Sequence, residues 1–267
     1  MPDPSEFERA TAVRPLGDHR YEADVPDGWQ QGRGAFGGLV LATMQRAMGH
    51  FVANPARRPR ALTAEICGPL QPGRAEVKVE LLRQGSNTSF VNAVLIQEGK
   101  VMARASTVFA TARKAATTPR AEPPAPPRPF EQVEVLPVAP PFGPAFAAHY
   151  EYRSTGPMPF SGGTEARCEG FIREREPVTV LDPSAVLGRL DAWWPTLYSV
   201  ETELRAAATI SFTAELLTDA TTLDPKVPFF HRSRMVVLQD GFFVEFRELW
   251  SGQTPVAMNQ QTFAVLS

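Results

Sequence analysis

A three-residue segment of this chain recurs 150 positions later. Thr63-Ala64-Glu65 returns as Thr213-Ala214-Glu215, and the same offset aligns residues 34–48 with residues 184–198. Self-similarity over such a long stretch indicates an internal duplication, because one short match would not keep its offset across neighbouring segments. The fold must therefore be built from two copies of the same set of elements.

Each copy is predicted to begin with a helix and to continue as a run of strands. Within residues 34–48, apolar side chains recur at helical spacing after a glycine-rich start. In the second copy, Asp182-Pro183 is a favourable start for a helix that Pro195 should end or kink. Alternating and β-branched segments then predict strands over residues 62–66, 77–81, 88–96 and 101–110, and over residues 209–217, 228–238, 241–250 and 256–266.

This element order predicts the fold class. Two copies of one helix followed by about four antiparallel strands are typical of an α+β protein in which a sheet curls round each helix. Joining the two sheets edge to edge would protect their exposed edges. The arrangement resembles the double hotdog, with an N-terminal hotdog over residues 1–113 and a C-terminal hotdog over residues 166–267.

Residues 114–165 are predicted to link the two halves. Ten of the chain's 26 prolines lie between Pro119 and Pro144. Such a composition favours extended, polyproline-like backbone and does not bury a core of its own. We expect a linker that crosses the surface; a recognition motif for a proline-binding module is the alternative.

The charge and the N-terminal sequence narrow the expected partners. A net charge of −2, from 27 basic and 29 acidic residues, gives no electrostatic reason to expect nucleic acid or an anionic membrane surface. No signal-peptide pattern or long apolar run is present, so we expect a cytoplasmic protein. Cys67 and Cys168 match no metal or redox spacing, and the four histidines share no ligand spacing, so no metal site is expected.

Several segments, in this order, resemble the acyl-CoA thioesterase II and thioesterase-like group over nearly the whole chain outside the linker. They are Phe36-Gly37-Gly38, Leu62-Thr63-Ala64-Glu65, Leu70-Gln71-Pro72-Gly73, residues 79–85 and 99–106, Glu248-Leu249-Trp250 and Gln261. The resemblance implies hydrolysis of acyl-CoA thioesters to free acid and CoA, a role in lipid metabolism, and no metal or organic cofactor, with CoA entering only as part of the substrate. It also implies a homo-oligomer.

The resemblance further implies a site in the second hotdog, made from an Asp, a Ser or Thr, and a Gln that position and activate water. Gln261 falls on the glutamine position, but Ser211 stands where the acid is expected. A serine of ordinary pKa is a poor general base. Ser233 is the candidate for the hydroxyl position, with a solvent-facing strand serine as the alternative.

Asp191, on the second helix, is the candidate for a replacement base, although it could be a polar residue at the helix edge. Phe36, Gly37 and Gly38 are the candidates for substrate binding. Their backbone N–H groups at a helix start could polarise the thioester carbonyl. Close helix–sheet packing is the alternative reason for these glycines.

The duplication predicts one working site between the two hotdog repeats, built from C-terminal strands that face the N-terminal helix start, where Gln261 and Ser211 would hold water. Ser211 aligns with Ala61, and Gln261 aligns with Thr107, so the C-terminal copy has more hydrogen-bonding capacity at these positions. We expect an acyl-CoA thioesterase whose activity is in question because of Ser211. The alternative is a non-catalytic acyl-CoA or acyl-ligand binding protein that has lost the general base. A hotdog hydratase would need an Asp/His pair, which we do not find.

Overall fold

The computed structural model describes residues 3–117 and 121–266. Its N-terminal half holds two helices and eight strands. The second helix and the last four strands follow the order that the duplication predicts, and one short helix and four strands precede them. The elements are α1 Glu6–Ala10, β1 Val13–Gly17, β2 Arg20–Val25, β3 Gln30–Gln31, β4 Gly34–Ala35, α2 Gly37–Val52, β5 Arg58–Ile66, β6 Gly73–Gln84, β7 Thr88–Gln97 and β8 Lys100–Ala110.

The C-terminal half repeats the pattern of one helix and a curved set of strands. Its elements are β9 Tyr150–Ser154, β10 Arg167–Glu174, α3 Pro183–Asp191, β11 Ala207–Leu216, β12 Phe229–Gln239, β13 Phe242–Ser251 and β14 Thr254–Val265. Short 3₁₀ helices cover Phe130–Gln132, Ala145–His149, Thr196–Ser199 and Ala220–Thr222. No helix in the described ranges has the length and apolar character needed to span a bilayer.

Twelve strands form one sheet in the order β1-β2-β6-β7-β8-β5-β11-β14-β13-β12-β10-β9. The two halves meet where β5 and β11 pair antiparallel, with Thr63 directly opposite Thr213. The repeated segments therefore lie side by side about a local twofold axis. Both strands also carry an irregularity at equivalent positions, between Pro59 and Ala61 and between Thr209 and Ser211. The predicted double hotdog is confirmed.

The two central helices pack antiparallel against each other inside this sheet. The start of α2 lies against the end of α3, since a Cβ added to Gly38 would approach the Gly188 Cα to 3.1 Å. At the other end, Arg46 Nη1 forms an ion pair with Asp182 Oδ2 at 2.6 Å. Asp182 also caps α3 by accepting from the Ala185 N–H. This arrangement brings Asp191, the last residue of α3, to the first turn of α2.

The interpretation of residues 114–165 as a surface linker is wrong for its second part. Phe146 is buried and stacks on Phe36, with ring centroids 4.2 Å apart. Tyr150 and Tyr152 are buried in strand β9, which pairs with β10 at the sheet edge. These aromatic residues supply apolar surface that the proline count conceals. Residues 118–120 of the predicted linker lie outside the described ranges.

Two further elements differ from the sequence prediction. Strand β10 was not expected, and α3 ends at Asp191 rather than continuing to Pro195. The apolar residues Trp193 and Trp194 that extended the predicted helical face lie instead in the turn after the helix. The early end of α3 matters for the site, because it places the carboxyl group of Asp191 at a helix terminus.

Candidate active site

Three polar side chains in the C-terminal half form a connected chain. Gln261 Nε2 donates to Asp191 Oδ1 at 2.9 Å and to Thr209 Oγ1 at 2.5 Å. Gln261 is 1% exposed and Asp191 8%. An acid, an amide and a hydroxyl group are thus joined below the protein surface by one side-chain amide.

The Gln261 amide has one acceptor left over. Its Oε1 atom is buried and has no hydrogen-bond partner among the described residues. Buried polar atoms are normally paired, so an acceptor in this position can receive an O–H or N–H group from a small molecule.

Asp191 lies where the start of α2 leaves space for a carboxylate. A Cβ on Gly37 would be 2.6 Å from Asp191 Oδ2 and 3.1 Å from Ile66 Cδ1, so a larger residue would displace the carboxyl group. The Gly38 backbone N–H interacts with the same carboxyl group. The positive end of the α2 dipole also favours a negative charge here. The glycine pair thus serves close packing and anion stabilisation together.

Phe36 packs in the core in this structure, and its role in substrate binding stays a prediction. Its side chain is fully buried, stacking on Phe146, with Trp29 centred 6.0 Å away. The ring also covers the position where a Cβ of Gly38 would lie. Phe36 therefore packs over the first turn of α2 in this structure.

The environment of Asp191 raises the pKa of its carboxyl group. Burial is the largest cause, because removal from water disfavours the charged form. The positive charge of Arg247, the Gln261 hydrogen bond and the Gly38 N–H act in the opposite direction and lower the pKa, whereas the negative charge of Glu245 raises it. The net result is a carboxyl group whose pKa is shifted towards neutral pH.

Ser211 does not join this chain, and the expectation that it holds water with Gln261 is not met by the geometry. It pairs with Thr262 and Glu65 on the outer face of the sheet, where Glu65 forms an exposed ion pair with Arg104. The reason is the strand irregularity between Thr209 and Ser211, which reverses the alternation of faces. Thr209 faces inward in its place.

Ser233 is buried, so the solvent-facing alternative does not hold, but it contacts neither Asp191 nor Gln261 through a hydrogen bond. It lies opposite Arg247 on β13 and Cys168 on β10, two positions along from the row that contains Gln261. Its hydroxyl group has no hydrogen-bond partner among the described residues. A hydroxyl role for Ser233 stays a prediction.

Three residues of this region were not found from the sequence: Thr209, Glu245 and Arg247. Glu245 and Arg247 are both buried and face inward on β13. Their signal was weak because both faces of that strand carry large apolar residues, among them Phe243 and Phe246. Alternation alone therefore did not identify the inward face.

A surface cavity of about 320 Å³ lies in the C-terminal half, and neither Asp191 nor Gln261 lines it. Its lining residues are Glu151, Arg173, Glu174, Arg175, Pro177 and Lys226. Among the residues that the structure describes, no group of three or more His, Cys, Asp or Glu side chains could hold a metal ion.

The duplicated halves and the polar chain of Asp191, Gln261 and Thr209 define a double hotdog protein with an acid, an amide and a hydroxyl group at its candidate site. Comparison with family models identifies the family. The acyl-CoA thioesterase N-terminal domain model matches residues 25–110, and the acyl-CoA thioesterase C-terminal domain model matches residues 119–265. The chain therefore belongs to the acyl-CoA thioesterase family, whose members hydrolyse thioesters.

Solved structures show the same fold. A hot dog fold protein from Alicyclobacillus acidocaldarius superposes with a TM-score of 0.88 at 23% identity, over 99% of each chain. A putative thioesterase II from Thermobifida fusca gives 0.85 at 24% identity over 100% of each chain. The acyl-CoA thioesterase II TesB2 from Mycobacterium marinum gives 0.77 at 16% identity, over 97% of this chain and 98% of that one. A search of curated proteins found no match.

Proposed function

We propose that this protein hydrolyses acyl-CoA thioesters at a single site between its two hotdog halves, with Asp191 as the general base. The observation that carries the proposal is the position of Gln261, whose amide group bridges the Asp191 carboxyl group and the Thr209 hydroxyl group. These are the acid, amide and hydroxyl groups that the family uses, with the acid supplied by the end of a helix.

In the proposed reaction, Asp191 removes a proton from water while the water oxygen attacks the thioester carbonyl carbon. The tetrahedral intermediate then collapses, the carbon–sulfur bond breaks, and Asp191 returns the proton to the CoA sulfur, giving free acid and CoA. Burial supports this role, because a carboxyl group whose pKa is raised towards neutral pH is a stronger base for water. The unpaired Gln261 Oε1 is suited to accept a hydrogen bond from that water.

The proposal of one site is supported by the equivalent position in the N-terminal half. There, Thr107 Oγ1 donates to Gln45 Oε1 at 3.1 Å, and both residues are buried. Thr107 aligns with Gln261, and no carboxyl group among the described residues joins this pair. A neutral hydroxyl–amide pair offers no group that accepts a proton from water near neutral pH.

The alternative is a non-catalytic protein that binds acyl-CoA. It is favoured by Ser211, which stands where the resemblance implies an acid, and by the burial of Asp191, whose side chain is 5% exposed. In that case, Asp191 would serve only as the buried partner of the α2 terminus. The two functions differ in whether CoA thiol is released.

The test is release of free CoA thiol from short, medium, long and aromatic acyl-CoAs by the parent protein and by Asp191→Asn. We expect turnover by the parent and a loss of about 100-fold or more in kcat for the variant, the usual effect of removing a general base. Glu65→Gln, on the outer face of the sheet, is the control.

Full activity of a folded Asp191→Asn variant would contradict the assignment of the base. If no acyl-CoA turns over while calorimetry detects its binding, the hydrolase proposal fails and the binding protein replaces it. Because the proposed chemistry uses only side chains and water, activity should survive treatment with EDTA.

A further inference from the structure

A buried ion pair lies directly behind Asp191. Arg247 and Glu245 are neighbours on one face of β13, with exposures of 1% and 0%, and Arg247 Nε donates to Glu245 Oε1 at 2.7 Å. Burying two charges is costly, and such a pair persists only where additional hydrogen bonds satisfy both groups. The contacts that satisfy them therefore indicate what the pair holds in place.

Arg247 caps the C-terminal end of α3. Its Nη1 atom donates to the backbone carbonyl oxygens of Asp191 and Trp193, each at 3.1 Å. The last carbonyl groups of a helix have no partner within the helix, so a guanidinium group bound there fixes the final turn. The same Nη1 atom lies 3.9 Å from Asp191 Oδ1.

Glu245 holds the chain just beyond that turn. Its Oε2 atom accepts from the Thr196 backbone N–H at 2.8 Å and from the Thr196 hydroxyl group at 2.5 Å. Glu245 is also the β13 residue paired with Gln261 on β14. The pair thus ties the backbone on both sides of residues 192–195 to the strand beside Gln261.

We propose that Arg247 and Glu245 are positioning residues that hold the Asp191 carboxyl group in register with the Gln261 amide. This inference rests on the proposed function. Neither side chain contacts water or substrate in this scheme. Arg247 acts on Asp191 through the helix end and its charge, and Glu245 acts through Arg247, Thr196 and its own charge.

The charges of the pair also act on Asp191, in opposite directions. Arg247 lowers the pKa of the Asp191 carboxyl group and Glu245 raises it. Two further titratable groups, Tyr150 and Tyr152 on β9, interact electrostatically with Asp191. Both tyrosines are buried, and burial raises their pKa well above the ordinary value, so they stay neutral as Asp191 titrates.

The test is the pH dependence of kcat/KM for Arg247→Gln and Glu245→Gln. Activity requires ionised Asp191, so the acidic limb of the pH profile of kcat/KM follows the pKa of the Asp191 carboxyl group. Removing the positive charge should move the limb up by about one pH unit, and removing the negative charge should move it down. Opposite shifts cannot arise from a loss of packing alone.

We expect Arg247→Gln to lower kcat more than 10-fold with little change in KM, and Arg247→Lys to keep the limb near its original pH because the charge remains. The control is Arg232→Gln, which removes the partly exposed pair of Arg232 with Glu248 on the outer face. It should change neither the limb nor kcat. Thermal melts show which variants fold. If Arg247→Gln does not fold, the two single variants Arg247→Lys and Glu245→Gln provide the test.

If the folded charge variants keep the acidic limb of kcat/KM at its original pH while Asp191→Asn is inactive, the positioning role of Arg247 and Glu245 is overturned. The proposed function then still stands. An active Asp191→Asn variant would instead remove the proposed function itself. The two failures are therefore distinguished by one set of variants.

Discussion

Thr209 and Ser211 lie two positions apart on one strand, yet they face opposite sides of the sheet. In a regular strand, residues i and i+2 share a face. Here Ile210 is the extra residue of the irregularity, 36% exposed, and Thr209 pairs with the buried Phe263 while Ser211 pairs with Thr262. A single inserted residue therefore decides which hydroxyl group reaches Gln261.

This difference yields a prediction from a matched pair of substitutions. Thr209→Val keeps the shape of the side chain but removes the hydrogen bond to Gln261, so we expect kcat/KM for acyl-CoA to fall about 5- to 10-fold, the kinetic equivalent of one such bond. Ser211→Ala should leave kcat/KM unchanged. The measurement is the rate of CoA thiol release under identical conditions. The reverse order of effects would mean that Ser211, not Thr209, acts in the site.

For the residues of the site, the sequence could predict which residue types matter but not all of their positions. Gln261 and Asp191 were identified, and the structure joins them by a 2.9 Å hydrogen bond. Thr209 could not be found, because the alternation of apolar residues does not reveal a bulge until the partner strand is known. Arg247 was missed because its strand is apolar on both faces.

Among the elements, the 3₁₀ helix Ala145–His149 does more than the proline-rich sequence around it suggests. Phe146 lies 4% exposed against Phe36, which in turn covers the start of α2. His149 stacks on Trp29 at 3.8 Å. This short element therefore closes the core over the helix terminus that faces Asp191.

The packing of this element predicts a large effect on stability. Phe146→Ala should lower the free energy of unfolding by about 3–5 kcal/mol, because it removes a buried aromatic ring and leaves a cavity. The control is Phe142→Ala in the same region, where the ring is 78% exposed and little change is expected. Urea denaturation followed by far-UV circular dichroism gives both values. Equal, small effects would show that residues 145–149 are not part of the folded core.

The sequence predicted the elements best where the two copies agree. The helix over residues 34–48 and the hairpin strands followed from periodicity and turn signals that the second copy repeats. Strands β9 and β10 were missed because the matching segments of the two copies begin only at residues 34 and 184, although these strands take the places in the sheet that β1 and β2 take in the N-terminal half. Local patterns predict elements, but packing against aromatic residues decides whether a proline-rich stretch joins the core.

For the whole molecule, the central seam joins the two halves through paired strands and a shared apolar core. Strands β5 and β11 pair along residues 61–65 and 211–215, and one apolar cluster contains buried residues of both halves, including Leu62 and Phe212. Most tryptophans, namely Trp193, Trp194 and Trp250, lie in the C-terminal half. Their fluorescence therefore reports that half, and Trp29→Phe removes the contribution of the other.

We expect a substitution in the N-terminal half to move the unfolding of the C-terminal half. In the Trp29→Phe background, Leu62→Ala should lower the urea midpoint of tryptophan fluorescence and of circular dichroism together, with a loss of about 2–5 kcal/mol, because Leu62 is fully buried at the seam. Leu82→Ala, 54% exposed in the same half, should move neither. If the fluorescence midpoint stays in place while circular dichroism shows a second transition, the halves unfold independently. Coincident shifts would mean that the site depends on the N-terminal half for its stability as well as for the helix start that faces Asp191.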